Sequence, residues 1–217
     1  MYFSEDKYQE FFARIQPFTM TTYERVKALV DSVWYVTINE IEGDIVECGV
    51  WRGGSMMAII LALEELGSSD RDLYLYDTFA GMTARDPIDL SHIGNDLNRE
   101  IDEGSFAVSE DEVMRNLLSL GYPREKLKLI KGAVEKTLGI ARHEKIAILR
   151  LDTDWYSSTR AELEALYPFL VKAGVLIIDD YGHWMGAKKA TDEFFESHSF
   201  KPFFHQIDYT GRLLLKL

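Results

Sequence analysis

Cysteine is nearly absent from this sequence, which holds one among 217 residues. A single cysteine excludes an intramolecular disulfide and a cysteine-rich zinc site. Cys48 lies in an apolar run, where it is expected to be a small buried strand residue. The scarcity of cysteine is typical of a reducing compartment, so the sequence predicts a cytoplasmic protein.

Long hydrophobic runs are missing as well. Although 47% of the residues are hydrophobic, no apolar stretch approaches the ~20 residues that a membrane-spanning helix needs. The acidic, polar start MYFSEDKYQE is unlike a signal peptide. Internal repeats, low-complexity tracts and linkers are also lacking, so residues 1–217 are expected to form a single domain with a substantial core.

Positive charge is in short supply. The 24 lysines and arginines face 36 acidic residues, which gives a formal net charge of −12 at pH 7. Nucleic acids and anionic membranes both attract basic surfaces, so neither is an expected partner. A small-molecule ligand fits this composition better.

The most informative stretch is the run DIVECGVWRGGS at 44–55, which predicts a buried strand, a tight turn and the start of an apolar helix. Gly49 and Gly53 allow positive φ and a close approach of a ligand to the backbone. The helix start offers free N–H groups to an anionic ligand. The spacing of Glu47, Gly49 and Gly53 is close to a nucleotide-cofactor turn but is not GxGxxG. A plain strand-to-helix turn fits the same pattern.

A second apolar strand, 73–76, ends in Asp77. In nucleotide-binding βαβ units an acidic residue at this place commonly binds the ribose hydroxyls. A solvated aspartate at a strand end is the alternative.

Two further strands, 146–151 and 175–178, also end in acids: Asp152 follows the first, and Asp179 and Asp180 follow the second. Parallel strands open on one edge of a sheet, so the three carboxylates are expected to meet there. Together they repel one another unless a cation lies between them. Oxygen ligands suit Mg²⁺ first, with Ca²⁺ or Mn²⁺ also suitable. Helix capping or loop solvation would explain the same acids without a metal.

Two residues near these acids are candidates for a general base. Asp154 lies two residues beyond Asp152, and His183 lies three beyond Asp180. Histidine titrates nearest neutral pH, although a structural role for His183 is equally compatible with the sequence. A cation that chelates a substrate hydroxyl lowers the pKa of that hydroxyl and holds the alkoxide in place, where it can accept a methyl group.

The remaining segments complete the predicted architecture. Residues 1–42 are expected to be helical, either as a cover over the main fold or as a packed extension that could also serve a homo-oligomer interface. Residues 80–110 show little periodicity and predict a mobile substrate loop. Thr159 and Glu162 have the spacing of a capping box. The end of the chain, 203–217, predicts an antiparallel hairpin.

A parallel α/β sheet that finishes in a hairpin is typical of class I methyltransferases. We therefore predict a Rossmann-like, seven-stranded and mostly parallel sheet with an antiparallel C-terminal hairpin strand, helices on both faces and a helical N-terminal extension. A NAD-binding domain would more often continue with parallel units, which makes a dehydrogenase the weakest enzyme hypothesis.

The sequence resembles the macrocin O-methyltransferase (TylF-like) family of S-adenosylmethionine- and metal-dependent sugar O-methyltransferases. The resemblance extends in order over nearly the whole chain. It is carried by Met20-Thr21, the run 43–55, Asp77-Thr78-Phe79, Gly81-Met82, Gly121-Tyr122-Pro123, Gly132, Val134, Thr137-Leu138, Leu151-Asp152-Thr153-Asp154, Tyr156, Ser158-Thr159 and the run 179–183.

The resemblance implies S-adenosylmethionine as cofactor, Mg²⁺ as metal and a small hydroxylated natural product, often a deoxysugar on a larger scaffold, as acceptor. It implies that Glu47, Gly49 and Gly53 hold the methionine part and that Asp77 holds the ribose. It places Met20 and Thr21 in a cover near the cofactor. It assigns the metal to Asp152, Asp179 and Asp180, and it implies further cofactor contacts at Ser55, Thr78, Phe79, Gly132, Val134 and Asp152.

Two departures from the family pattern qualify this hypothesis. The chain looks shorter than typical members, which points to reduced acceptor-binding insertions. Trp155 occupies the place where related catechol methyltransferases have a lysine, three residues beyond the first metal aspartate. The change removes the lysine base and argues against a catechol-type mechanism. A metal-dependent methyltransferase for an aromatic diol remains the second hypothesis, and a non-catalytic nucleotide-binding or scaffold domain is the third.

Overall fold

A seven-stranded sheet forms the centre of the protein, in the strand order β3-β2-β1-β4-β5-β7-β6. The computed structural model describes residues 2–92, 101–198 and 201–217. β1 to β5 pair in parallel, whereas β7 runs antiparallel to both β5 and β6. The strands are β1 (Asp44–Cys48), β2 (Leu73–Asp77), β3 (Leu127–Lys131), β4 (Ile146–Leu151), β5 (Leu170–Ile178), β6 (His205–Gln206) and β7 (Arg212–Leu215).

Helices cover both faces of this sheet, which confirms the predicted fold class. The first face packs against α1, α2 and α3, and the second packs against α6 and α7. Within the described ranges, none of the helices is both long enough and apolar enough to cross a membrane. The helices are α1 (Glu5–Ile15), α2 (Tyr23–Ile38), α3 (Gly54–Glu65), α4 (Glu110–Leu118), α5 (Val134–Thr137), α6 (Tyr156–Leu166) and α7 (Met185–Glu196).

The first two helices bury their apolar stripes in the core. Both begin at a side-chain cap: Ser4 accepts a hydrogen bond from the Lys7 amide, and Thr22 accepts one from the Arg25 amide. Their buried faces join the same apolar cluster as α3. α2 begins beside the edge of the sheet where the parallel strands end, since Arg25 in its first turn contacts Asp179 directly after β5.

The carboxyl ends of the central strands meet because the sheet ladder continues into the turns. The amide of Gly49 donates to the carbonyl of Tyr76 over 2.9 Å, the amide of Asp152 donates to Cys48 over 2.8 Å, and that of Asp179 donates to Leu151 over 2.9 Å. The first residues after β1, β4 and β5 are thus held side by side on one edge.

The predicted capping box at the start of α6 is wrong. α6 begins at Tyr156, and its first amide donates to the Asp89 carboxylate over 2.8 Å. Glu162 is fully buried and accepts a hydrogen bond from the Thr153 hydroxyl over 2.9 Å. The cap of this helix comes from a distant part of the chain, so local spacing could not identify it.

The expected substrate loop at 80–110 lies partly outside the described residues. Its described flanks are tied to the sheet edge. The amide of Met82 donates to the Ser105 carbonyl, and that of Gly104 donates back to Met82, both over 2.9 Å. The indole of Trp155 donates to the Thr83 carbonyl over 3.0 Å. These contacts place both flanks against the turn that follows β4.

Candidate active site

A cavity of about 420 Å³ opens at the edge where the parallel strands end. The turns after β1, β2, β4 and β5 form its floor, while the segment before α2 and the β6–β7 turn form part of its wall. Most of the site residues predicted from the sequence line it. They are Met20, Thr21, Gly49, Ser55, Asp77, Thr78, Gly132, Val134, Asp152, Asp154, Asp179, Asp180 and His183.

Three predicted cofactor residues do not line the cavity. Glu47 is buried in β1, where its carboxylate receives a hydrogen bond from the Arg150 guanidinium over 2.6 Å. Gly53 immediately precedes α3 with φ +89° and faces Val113 and Leu117. Phe79 is buried in the core. In this structure Glu47 therefore binds an arginine rather than facing the cavity.

Arg150, which the sequence analysis did not single out, organises the acids of the site. It is buried in β4, with only 2% of its surface exposed. Its guanidinium contacts Asp152 over 2.8 Å and Asp179 over 2.6 Å, in addition to Glu47. A lone charge in an otherwise apolar strand was the signal that could have revealed it, because a buried charge requires partners.

Asp77 shapes the floor of the cavity through backbone contacts. Its Oδ2 accepts hydrogen bonds from the amides of Val50 and Trp51, over 2.6 and 3.3 Å, and its Oδ1 accepts one from Phe79 over 2.7 Å. One carboxylate thus links the turns that follow β1 and β2. The Thr78 hydroxyl donates a fourth hydrogen bond, to Oδ1 over 3.5 Å, so a ligand that binds Asp77 would share or displace one of these contacts.

The three strand-end aspartates come together as the sequence analysis anticipated. Asp152, Asp179 and Asp180 each present an oxygen within 4.8 Å of the others. Burial raises the pKa of Asp180 well above its usual range, and the neighbouring carboxylates Asp154 and Asp152 raise it further. Its Oδ2 atom is buried without a hydrogen-bond partner among the described residues.

These acids fit a hard divalent cation. Arg150 and Arg25 partly neutralise the group, since both guanidiniums contact Asp179. Asp180 has no described cationic partner, and its orphaned oxygen is the type of atom that a metal ion satisfies. An all-oxygen donor set suits Mg²⁺, Ca²⁺ or Mn²⁺ rather than zinc.

The two candidate bases lie beside this cluster. Burial together with the Asp152 charge raises the pKa of the Asp154 carboxyl. His183 lies with Nδ1 3.0 Å from the Tyr209 hydroxyl. Partial burial and the nearby Arg25 charge lower the pKa of His183, so its ring is neutral at pH 7.

The tertiary structure shows that Trp155 is buried away from the cavity and that the β6–β7 turn lines it. The Trp155 ring is buried against Trp184 with a centroid separation of 5.1 Å, and it does not line the cavity. No lysine occurs among the described lining residues. Tyr209 and Thr210 of the turn do line the cavity, although the sequence analysis assigned them no role.

Gly49→Ala is expected to destabilise the protein by roughly 3 kcal/mol or more, because a positive φ is combined with backbone overlap. Gly49 has φ +82°, and an added Cβ would lie 1.9 Å from the Asp152 carbonyl oxygen. Urea unfolding measures the effect. Gly139→Ala is the control, since nothing lies within 4 Å of its Cβ position. Equal stability of the two variants would contradict the packing described for this turn.

Comparison with known proteins identifies the family. The family model described as Macrocin-O-methyltransferase (TylF) matches residues 12–216. The chain is 33% identical over 180 residues to the demethyldecarbamoylnovobiocin O-methyltransferase of Streptomyces niveus, covering 81% of this chain and 67% of the relative. It is also 33% identical over 163 residues to a tetracenomycin-C 4′-O-methyltransferase of Streptomyces olivaceus, covering 75% of this chain and 62% of the relative.

The fold agrees with this result. The structure of the O-methyltransferase NovP superposes with a TM-score of 0.80 at 31% identity, covering 92% of this chain and 82% of NovP. The chain belongs to the macrocin O-methyltransferase family and thus to the S-adenosylmethionine-dependent O-methyltransferases.

Proposed function

We propose that this protein methylates a hydroxyl group of a small natural product, on a sugar moiety, at a divalent cation held by Asp152, Asp179 and Asp180. The observation that carries the proposal is the convergence of three carboxylates, one with an orphaned buried oxygen, on the wall of the cavity. The names of the relatives support the acceptor class. One is named for demethyldecarbamoylnovobiocin, and the other for a dimethoxy-rhamnosyl tetracenomycin.

The charges of the site favour a cation. Among the described residues, five carboxylates lie at this edge: Glu47, Asp152, Asp154, Asp179 and Asp180. Arg150 contacts Glu47, Asp152 and Asp179, and Arg25 contacts Asp179. The acids therefore outnumber the arginines, and a divalent cation would offset much of the remaining repulsion. When bound, it would hold the acceptor hydroxyl and lower its pKa.

Other residues that line the cavity suit the cofactor. The start of α3 contributes Gly54 and Ser55 to the cavity wall, where free amides favour a carboxylate. Asp77 and Thr78 line the cavity at the end of β2, which suits the ribose hydroxyls. S-adenosylmethionine would supply the methyl group as a sulfonium electrophile. Met20 and Thr21 would cover it, since both line the same cavity.

Two side chains can accept the proton that the acceptor hydroxyl loses. His183 is neutral near pH 7 and lines the cavity, so its ring can take up a proton. Asp154 lies beside the metal aspartates and lines the cavity as well. Trp155 is buried and occupies the place of the catechol-type lysine, so a lysine base is missing from the described lining residues.

The proposal is tested by calorimetric titration of chelator-treated protein with S-adenosylhomocysteine, before and after addition of Mg²⁺. We expect micromolar binding of S-adenosylhomocysteine and a separate heat for Mg²⁺. Cofactor binding without any response to Mg²⁺, Ca²⁺ or Mn²⁺ would remove the metal from the proposal. Absence of cofactor binding in all states would overturn the proposal as a whole.

A further inference from the structure

We propose that Arg25 competes with the divalent cation for Asp179, so that cation binding weakens the attachment of the N-terminal segment (residues 18–25) to the active site. This inference rests on the proposed function, because it requires the metal site. Arg25 lies in the first turn of α2, outside the sheet, yet its guanidinium contacts the Asp179 carboxylate at the end of β5.

Both oxygens of Asp179 are engaged by arginines. Oδ1 accepts a hydrogen bond from Arg150 over 2.6 Å, and Oδ2 accepts one from Arg25. Asp179 is 2% exposed, so solvent screens these contacts little. A metal ion that takes Asp179 as a ligand therefore shares that carboxylate with two cations, and like charges on one carboxylate repel.

Of the two arginines, Arg25 is the one that can yield. Arg150 is enclosed in β4 with 2% of its side chain exposed and is bound to three acids. Arg25 lines the cavity and is 11% exposed. It also has a second anchor, since its Nε contacts Asp208 over 3.0 Å. The loss of Asp179 would leave Arg25 paired with Asp208.

Arg25 also connects the site to the segment that covers it. The backbone of Phe18 and the side chain of Thr19 pack so closely on α3 that a Cβ at Gly54 would meet them at 2.4 and 2.6 Å. Met20 and Thr21 follow and line the cavity. Thr22, which caps α2, donates to Asp208 over 2.9 Å. A shift of Arg25 is thus transmitted to the residues over the proposed cofactor site.

The experiment measures Mg²⁺ affinity by calorimetry in cofactor-free protein, together with hydrogen exchange of residues 18–25. Arg25→Gln is expected to bind Mg²⁺ about tenfold more tightly than the wild type, because one competing charge is gone, whereas Arg25→Lys should stay within about threefold of the wild type. Arg52→Gln is the matched control. It removes an exposed arginine whose nearest acid, Glu112, lies 3.8 Å away, and it should change Mg²⁺ affinity less than twofold.

Hydrogen exchange of the wild type, with and without Mg²⁺, tests the competition even if the Arg25→Gln variant fails to fold. Mg²⁺ should speed the exchange of residues 18–25 in the wild type and leave that of Arg25→Gln unchanged. Unchanged or weaker Mg²⁺ binding by Arg25→Gln, or slower exchange of the wild-type segment with Mg²⁺, would overturn the competition. If neither the wild type nor Arg25→Gln binds any divalent cation, the proposed metal site is overturned, and the competition with it.

Discussion

Asp180→Asn is expected to lower kcat/KM at least about a hundredfold while S-adenosylhomocysteine binds with nearly wild-type affinity. Of the three clustered aspartates, Asp180 is the one without a described arginine partner, so its replacement leaves no buried guanidinium unpaired. Asp179→Asn would affect two arginine contacts at once and is a less specific test. Asn retains the size of the side chain and removes one anionic ligand.

The stability of Asp180→Asn is expected to equal or exceed that of the wild type. Burial and the neighbouring carboxylates already disfavour the charge at this position, and the substitution removes that repulsion. Steady-state kinetics measures kcat/KM, calorimetry measures the affinity for S-adenosylhomocysteine, and urea unfolding measures the stability of the variant. Glu164→Gln on the outer face of α6 is the control for loss of one negative charge, since its side chain is 56% exposed. Full turnover by Asp180→Asn would exclude this carboxylate as a metal ligand.

Arg150→Met is expected to reduce the free energy of unfolding by about 3–5 kcal/mol, which is the typical cost of breaking a buried ion pair from one side. The variant leaves Glu47 without its guanidinium partner, and Glu47 is 1% exposed. It also removes a partner from Asp152 and from Asp179. Methionine fills part of the volume of the arginine side chain. Most of the lost stability should therefore come from buried carboxylates without a cationic partner rather than from a cavity.

A double variant identifies the cause of that loss. Glu47→Gln combined with Arg150→Met removes both charges of the innermost pair, and we expect it to be at least about 1 kcal/mol more stable than Arg150→Met alone. Urea unfolding of the wild type, both single variants and the double variant gives the coupling energy. A loss below about 1 kcal/mol for Arg150→Met, or a double variant no more stable than that single variant, would contradict a buried pair that organises the site.

Local patterns in the sequence predict the fold and most of the site residues that line the cavity. Apolar runs followed by glycines and periodic helices predict alternating strands and helices, and parallel strands place their carboxyl ends on one edge. Residues at the ends of those strands or directly after them, such as Asp77, Asp152 and Asp179, are therefore expected to lie on one edge of the sheet. Their arrangement around one cavity agrees with that expectation.

The partners of the charged groups follow from packing alone. Arg150 pairs with Glu47 across 103 residues, Arg25 with Asp179 across 154, and Asp89 caps α6 at Tyr156 across 67. A sequence pattern reports periodicity over a few residues, whereas these contacts depend on which elements become neighbours in the folded chain. The sequence by itself thus determined the sheet, its edge and the acids along it. The tertiary structure decided which cation each acid meets, because charge pairing is set by distance in space and not along the chain.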